Sequence, residues 1–160
     1  MDLAEFEALA EPLRQKSAET RSTYGFALIE GQTASADEIA NLELDMAVTF
    51  PAKYKTFMMR FGGGTFGYVE LFPIVATPGT YDDLATINDS EFPDRSFLAV
   101  APVGTGDYWG FPVIDGRCLD EVWCHYHDVD DDDLVAADFL EFIAEYGLKS
   151  CADRALERRK

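Results

Sequence analysis

Apolar spacing along this chain changes character twice, and the two switches leave few fold classes open. Up to Phe61 the apolar residues recur at helical intervals. Leu3, Phe6, Leu9, Ala10 and Leu13 predict an amphipathic helix over residues 3–17. Pro12 lacks the N–H that a helix interior needs, so a break or kink is expected near Ala10. Residues 24–29 fit a short strand or a packed loop equally well. Ser35 stands three residues before Glu38, a capping-box spacing that predicts a helix over 36–44. Pro51 then opens a short helix whose stripe is Tyr54, Phe57, Met58 and Phe61. Gly62, Gly63 and Gly64 stop it and read as a turn.

From Tyr68 the period becomes that of strands. Residues 68–75, 97–103, 108–114 and 117–127 are rich in β-branched and aromatic residues, with turn residues between them. Asp115-Gly116 is a strong hairpin signal, and Pro73, Pro102 and Pro112 imply strand ends, edges or bulges. The stretch 76–96 reads as an acidic, irregular connection with one helical turn. Helical spacing returns over Leu134–Tyr146, with Val135, Phe139, Phe142, Ile143 and Tyr146 as its buried stripe and Gly147 as its stop. Residues 149–160 form a basic tail. Helices, then a mainly antiparallel sheet, then a helix make an α+β fold with the helices on one face of the sheet. With 160 residues, no internal repeat and no linker, one domain over 1–160 is expected, its core at about 35–147.

Charge narrows the function classes. Thirty acidic residues against 13 basic ones give a formal −17. Such a chain repels nucleic acid and anionic lipid, because phosphate binding needs clustered Lys and Arg. The charge is uneven: residues 149–160 carry five bases and two acids, while 81–133 carry fourteen acids and only Arg95 and Arg117. Acidity of this kind either serves solubility alone or steers a basic macromolecule onto an electronegative rim. No run approaches the roughly 20 apolar residues of a membrane span. Residues 1–5 lack the features of a secretory signal. Cys118, Cys124 and Cys151 are an odd count without framework spacing. A cytoplasmic protein with free thiols is expected.

Few residues are arranged for chemistry. The run Asp128-Val129-Asp130-Asp131-Asp132-Asp133 fails as a calcium loop, since Asp133 and Phe139 stand where Gly and Glu are required. It reads better as a negative cap on the helix expected from Leu134. Cys118, Cys124, His125 and His127 lack zinc-ligand spacing, and strand alternation turns Cys124 away from the two histidines. No nucleophile elbow is present, and no Lys follows the glycine runs at 62–64 and 104–106 to make a phosphate loop. Neither a catalytic residue nor a metal or cofactor is expected. Asp107, Tyr108, Trp109 and Trp123 lie on the best-defined hairpin, where aromatics either pack into the core or anchor a protein interface.

The order Phe50-Pro51, Tyr54-Lys55, Phe57-Met58, Gly62-Gly63-Gly64 and Phe66-Gly67 resembles the signature of the SUKH superfamily. The likeness continues through Gly106-Asp107-Tyr108-Trp109, the Val122–Asp128 strand and Asp138-Phe139-x-Glu141-Phe142-Ile143, covering about residues 35–147. It departs at Trp109-Gly110-Phe111-Pro112, where a more regular strand belongs. The resemblance implies an α+β fold with a curved, mostly antiparallel sheet flanked by helices, and Pro51, Tyr54, Gly63 and Phe142 as fold determinants. It also implies a protein-binding module: an immunity protein that neutralises a toxin, often a nuclease, or a regulator linked to cell-wall assembly. Charge and resemblance together predict a basic protein partner, a toxin domain foremost, and no nucleic acid or membrane. The predicted contact residues are Asp107, Tyr108, Trp109, Trp123, Asp130, Asp131, Asp132 and Asp133.

Overall fold

The computed structural model describes residues 1–79 and 82–160; Thr80 and Tyr81, in the acidic connection, lie outside them. Helix α1 runs over Leu3–Tyr24, opened by Asp2, whose carboxylate accepts from the Glu5 N–H, and closed by Gly25 at φ 78°. Of the break or kink expected near Ala10, the break does not occur. Pro12 and Ala8, whose carbonyl loses its donor, are both exposed, so water can take up the unpaired oxygen. Phe6, Ala10 and Ser17, buried on either side of Pro12, hold the helix to the core. The Ser17 hydroxyl accepts from the Leu28 and Ile29 N–H groups, both at 2.9 Å, and so fixes where the next strand begins.

That strand is β1 (Ile29–Gln32), and it pairs with β2 (Gly63–Phe66), which pairs with β3 (Val69–Leu71), all antiparallel. The glycine run is therefore only partly the expected turn. Gly62 turns at φ 81°, but Gly63 lies in the central strand of this sheet. A Cβ on Gly63 would stand 2.4 Å from Pro73 Cα, so the run admits a close backbone approach that a side chain would block. Helix α2 (Ala36–Met46) carries the expected Ser35–Glu38 capping box, and α3 (Ala52–Arg60) follows Pro51. Tyr54, Phe57 and Met58 are buried, as their spacing predicted.

The acidic connection holds a full helix, α4 (Leu84–Glu91), capped by Asp83, where one turn was expected. Its buried Asn88 explains the length. The Asn88 side chain donates to Ala99 O at 2.8 Å and accepts from Ala99 N–H at 2.8 Å, which ties the helix to the next strand. The second sheet runs β4 (Phe97–Pro102), β5 (Tyr108–Ile114), β7 (Val122–His125), β8 (Asp133–Ala136), with β6 (Arg117–Cys118) paired to β5. Asp115 and Gly116 make the predicted turn with positive φ at both positions, 52° and 74°. The irregularity expected near Trp109–Pro112 falls on the partner strand, as a register shift between Ala99 and Ala101. The Phe72 N–H donates to Val100 O at 2.9 Å and joins the two sheets.

The helix expected from Leu134 is not there. Residues 133–136 pair with β7 as a strand, and the last core helix, α5 (Phe139–Phe142), starts only after Asp138. Asp138 is extended at φ −153° and its carboxylate accepts from the Glu141 N–H at 2.9 Å, which sets the boundary. The helix continues as a π-helical turn, Ile143–Gly147. The basic tail forms α6 (Cys151–Arg158), opened by a Ser150–Asp153 capping box.

The core is aromatic. Tyr54 meets Phe50, Phe111 and Phe139 edge-on, with centroids 5.8, 5.5 and 5.0 Å away, and Phe57 joins Phe6, Phe66 and Phe139. The Tyr54 hydroxyl has no hydrogen-bond partner, and burial pushes its pKa far up. At the rim of this core Asp138 accepts from the Lys53 ammonium at 2.9 Å and the Met1 amino group at 2.8 Å. Among the described residues no helix is long and apolar enough to cross a membrane.

Candidate partner-binding surface

Strand register decides where each hairpin aromatic points. Tyr108 opposes His125, Trp109 opposes Cys124, and Gly110 opposes Trp123. Opposed residues share a sheet face and successive residues alternate. Tyr108, Trp123 and His125 therefore line one face, and Trp109 lies on the other. On the first face Phe92, just past α4, packs edge-on against Tyr108 at 6.0 Å and His125 at 5.0 Å. Trp123 donates from Nε1 to Glu121 at 3.2 Å and opposes Leu134, which is exposed. On the second face Trp109 rests against Phe142 and Tyr146, with centroids 5.4 and 5.3 Å away. The sheet thus separates aromatics that the sequence reading grouped together.

The acidic residues meet the first face at one end of the hairpin. The loop before β5 supplies Asp107, the loop between β7 and β8 supplies Asp128, Asp130, Asp131 and Asp132, and β8 opens with Asp133. Asp107 Oδ1 accepts from the His127 backbone N–H at 3.0 Å and lies 2.6 Å from His127 Nδ1; Oδ2 accepts from the Thr105 hydroxyl at 2.9 Å. The bond from the His127 N–H, with the imidazole beside it, holds the Asp107 carboxyl below the usual range. The same carboxylate raises the His127 imidazole. Tyr126 donates to Asp133 at 2.7 Å, which pushes the phenol pKa up, and His125 Nδ1 stands 2.9 Å from Asp132 Oδ1. Two hydrogen-bonded side-chain pairs, Asp107–His127 and Tyr126–Asp133, therefore tie this loop down, while Asp128, Asp130 and Asp131 remain exposed.

The run 130–133 is not a cap on a helix dipole, because it leads into strand β8 and the following helix is capped by Asp138. The pairing of His127 with Asp107 is not evident from the sequence pattern. The His-x-His spacing put the two histidines on one face, but His127 and Asp107 are 20 residues apart and only the β5–β7 register brings them together. Asp107, His127 and Asp128 place ligand-type atoms within 4.8 Å of one another, two of them already bonded together. Among the described residues, Cys118 and Cys124 do not converge with the histidines. Both thiols are buried, and burial pushes Cys118 up to about 12, far from a nucleophile's range.

A family model described as SMI1-KNR4 cell-wall matches residues 36–143, about two thirds of the chain. A search of curated proteins returns no match. The matched segment runs from α2 through α5 and contains both sheets except β1. Modules of the SUKH superfamily, which includes this family, serve immunity and regulation. The glycine-bearing central strand, the aromatic centre at Tyr54 and the Asp138-capped helix are the same segments that carried the resemblance in the sequence, and the chain belongs to the SUKH_6 (SMI1-KNR4 cell-wall) family.

Proposed function

We propose that this chain is a non-enzymatic protein-binding module of the immunity type, which neutralises a basic toxin domain by covering it with the acidic end of the β5–β7–β8 sheet. A nuclease toxin fits best, since it must carry a basic surface to hold its substrate. The observation that carries this reading is the tethered acidic loop. Asp130 and Asp131 project from a loop whose flanking residues Tyr126, His127 and Asp133 are engaged with other side chains. Charge held on a fixed frame loses less entropy on docking than charge on a loose tail. Tyr108, Trp123 and Leu134 supply apolar contacts on the adjoining face, with Asp107 holding the loop and Trp109 supporting the hairpin from behind. The chain acts as one module, and its three free thiols fit the reducing cytoplasm.

Binding to the product of the neighbouring gene, followed at rising salt, tests the proposal. Affinity should fall steadily with salt, and an Asp130→Asn, Asp131→Asn double variant should associate more slowly. Binding indifferent to both would overturn the electrostatic part. A second reading, a regulatory module with an endogenous partner, draws on the cell-wall description of the matched family. A gene neighbourhood without any toxin would favour it.

A further inference from the structure

The opposite chemistry occurs at a second surface, which shares no residue with the acidic loop. Helix α1, the segment after it and the β2–β3 turn enclose an open groove of about 470 Å³. Leu9, Leu13, Phe26, Leu28 and Leu148 line it. Leu9 and Phe26 are each 53% exposed, and Tyr68 on the rim is 65% exposed. An exposed apolar patch of this kind marks an interaction site more often than chance exposure does. The one charged residue lining the groove is Lys16. Among the described residues, its ammonium makes no hydrogen bond or ion pair.

We infer that this groove docks an amphipathic segment of a second protein, apolar side chains filling the floor and a flanking carboxylate meeting Lys16. Shape argues for a chain segment over a compact ligand. A second hollow, of about 580 Å³, shares Leu9 and Leu148 with the first and extends the surface toward Arg158, which is also unpaired among the described residues. Glu141 and Glu145 line that far branch, and Glu145 is already bonded to Lys149 at 3.1 Å, so the cationic anchor is at the Lys16 end. Charge argues against a second copy of the chain as occupant, since two bodies at −17 repel. This surface goes beyond the acidic loop and gives the module a second, oppositely charged contact.

Two labelled peptides test the inference: one with Leu at i, i+3 and i+4 and Glu beside them, and a counterpart with Lys at every Glu position. At physiological salt, which screens charges beyond about 8 Å, the Glu peptide should bind about two- to fivefold tighter, the ratio of one exposed ion pair. Lys16→Glu, at an exposed position, should reverse that preference, and Tyr68→Ser should weaken both peptides several-fold. The Asp130→Asn, Asp131→Asn variant should change neither, which separates this surface from the acidic one. Equal binding of the two peptides, no binding of either, or indifference to Lys16→Glu would overturn the inference. So would concentration-dependent self-association that Lys16→Glu abolishes, because the occupant would then be a second copy.

Discussion

The aromatic centre around Tyr54 and Phe57 and the acidic end of the second sheet are both built from residues far apart in sequence, but different forces hold them. The centre is set by packing: Tyr54, Phe57 and Phe139 are fully buried and touch edge-on at 5.0 to 5.2 Å. The acidic end is set by polar pairs at the surface, where water and salt compete for every contact. A change in the centre should therefore be read as lost stability. A change at the acidic end should be read as altered binding or local order with the fold intact.

The largest expected effect follows from that contrast. Phe57→Ala empties a site surrounded by Phe6, Phe61, Phe66 and Phe139, and a cavity of that type costs about 3–5 kcal/mol. Denaturant unfolding should show it as a lower midpoint at an unchanged slope. A loss under about 1 kcal/mol would mean the core collapses around the gap, and the contrast with the acidic end would fail. Tyr54→Phe works in the other direction. The Tyr54 hydroxyl is buried without a partner, and an unsatisfied buried polar group costs about 1–3 kcal/mol. Removing it should stabilise the chain by about 1 kcal/mol, and destabilisation would show that the hydroxyl has a partner in solution.

Asp138, at the rim of the aromatic centre, combines both kinds of force. Burial works to raise its pKa, yet the amino terminus, the Glu141 N–H and the Lys53 ammonium together bring the carboxyl below its usual range. A carboxyl depressed in the folded state contributes stability that is present above the ordinary aspartate value, about 3.9, and is lost as pH falls through the folded value. Asp138→Ala should cost about 1 kcal/mol at neutral pH, the worth of a helix cap, and the gap to the parent should close on acidification. A gap that stays constant with pH would remove the ionised carboxylate from the account.

How far the sequence reading reached follows from which forces are local. The Ser35–Glu38 box, the Asp115-Gly116 turn and the stripe of α3 depend on residues a few positions apart, and all three stand as expected. The readings that failed depend on distant partners. Leu134 and Val135 carry helical spacing, but β7 offers their backbone a ladder and Asp138 delays the helix. Gly63 reads as a turn until β1 and β3 close on either side. Pro12 reads as a break or kink, and the helix stays continuous because residues buried on both sides of it hold it to the core. At the candidate site the acidic excess was legible from composition alone. The pairing of Asp107 with His127 was not, since it needs the register of two strands.

That pairing gives the smallest expected effect on stability and the sharpest test of the acidic end. The His127 imidazole is raised by Asp107, so its contribution is fully present below the ordinary imidazole value of about 6.5 and fades as pH rises through the higher folded value. The Asp107 carboxyl is lowered, so its contribution fades only as pH falls through its reduced value. The clasp is therefore complete from just above the ordinary carboxylate range up to about 6.5 and loosens on the alkaline side. Asp107→Asn keeps the side chain's shape and removes its charge. It should move the His127 titration, followed by ring-proton NMR, down toward 6.5, while the unfolding midpoint barely changes because the pair is at the surface. Backbone amide exchange should then quicken over residues 126–133 and stay slow in α3. An unmoved His127 titration would mean that the imidazole does not meet the carboxylate in solution, and that Asp107 holds the acidic loop only through the His127 backbone N–H.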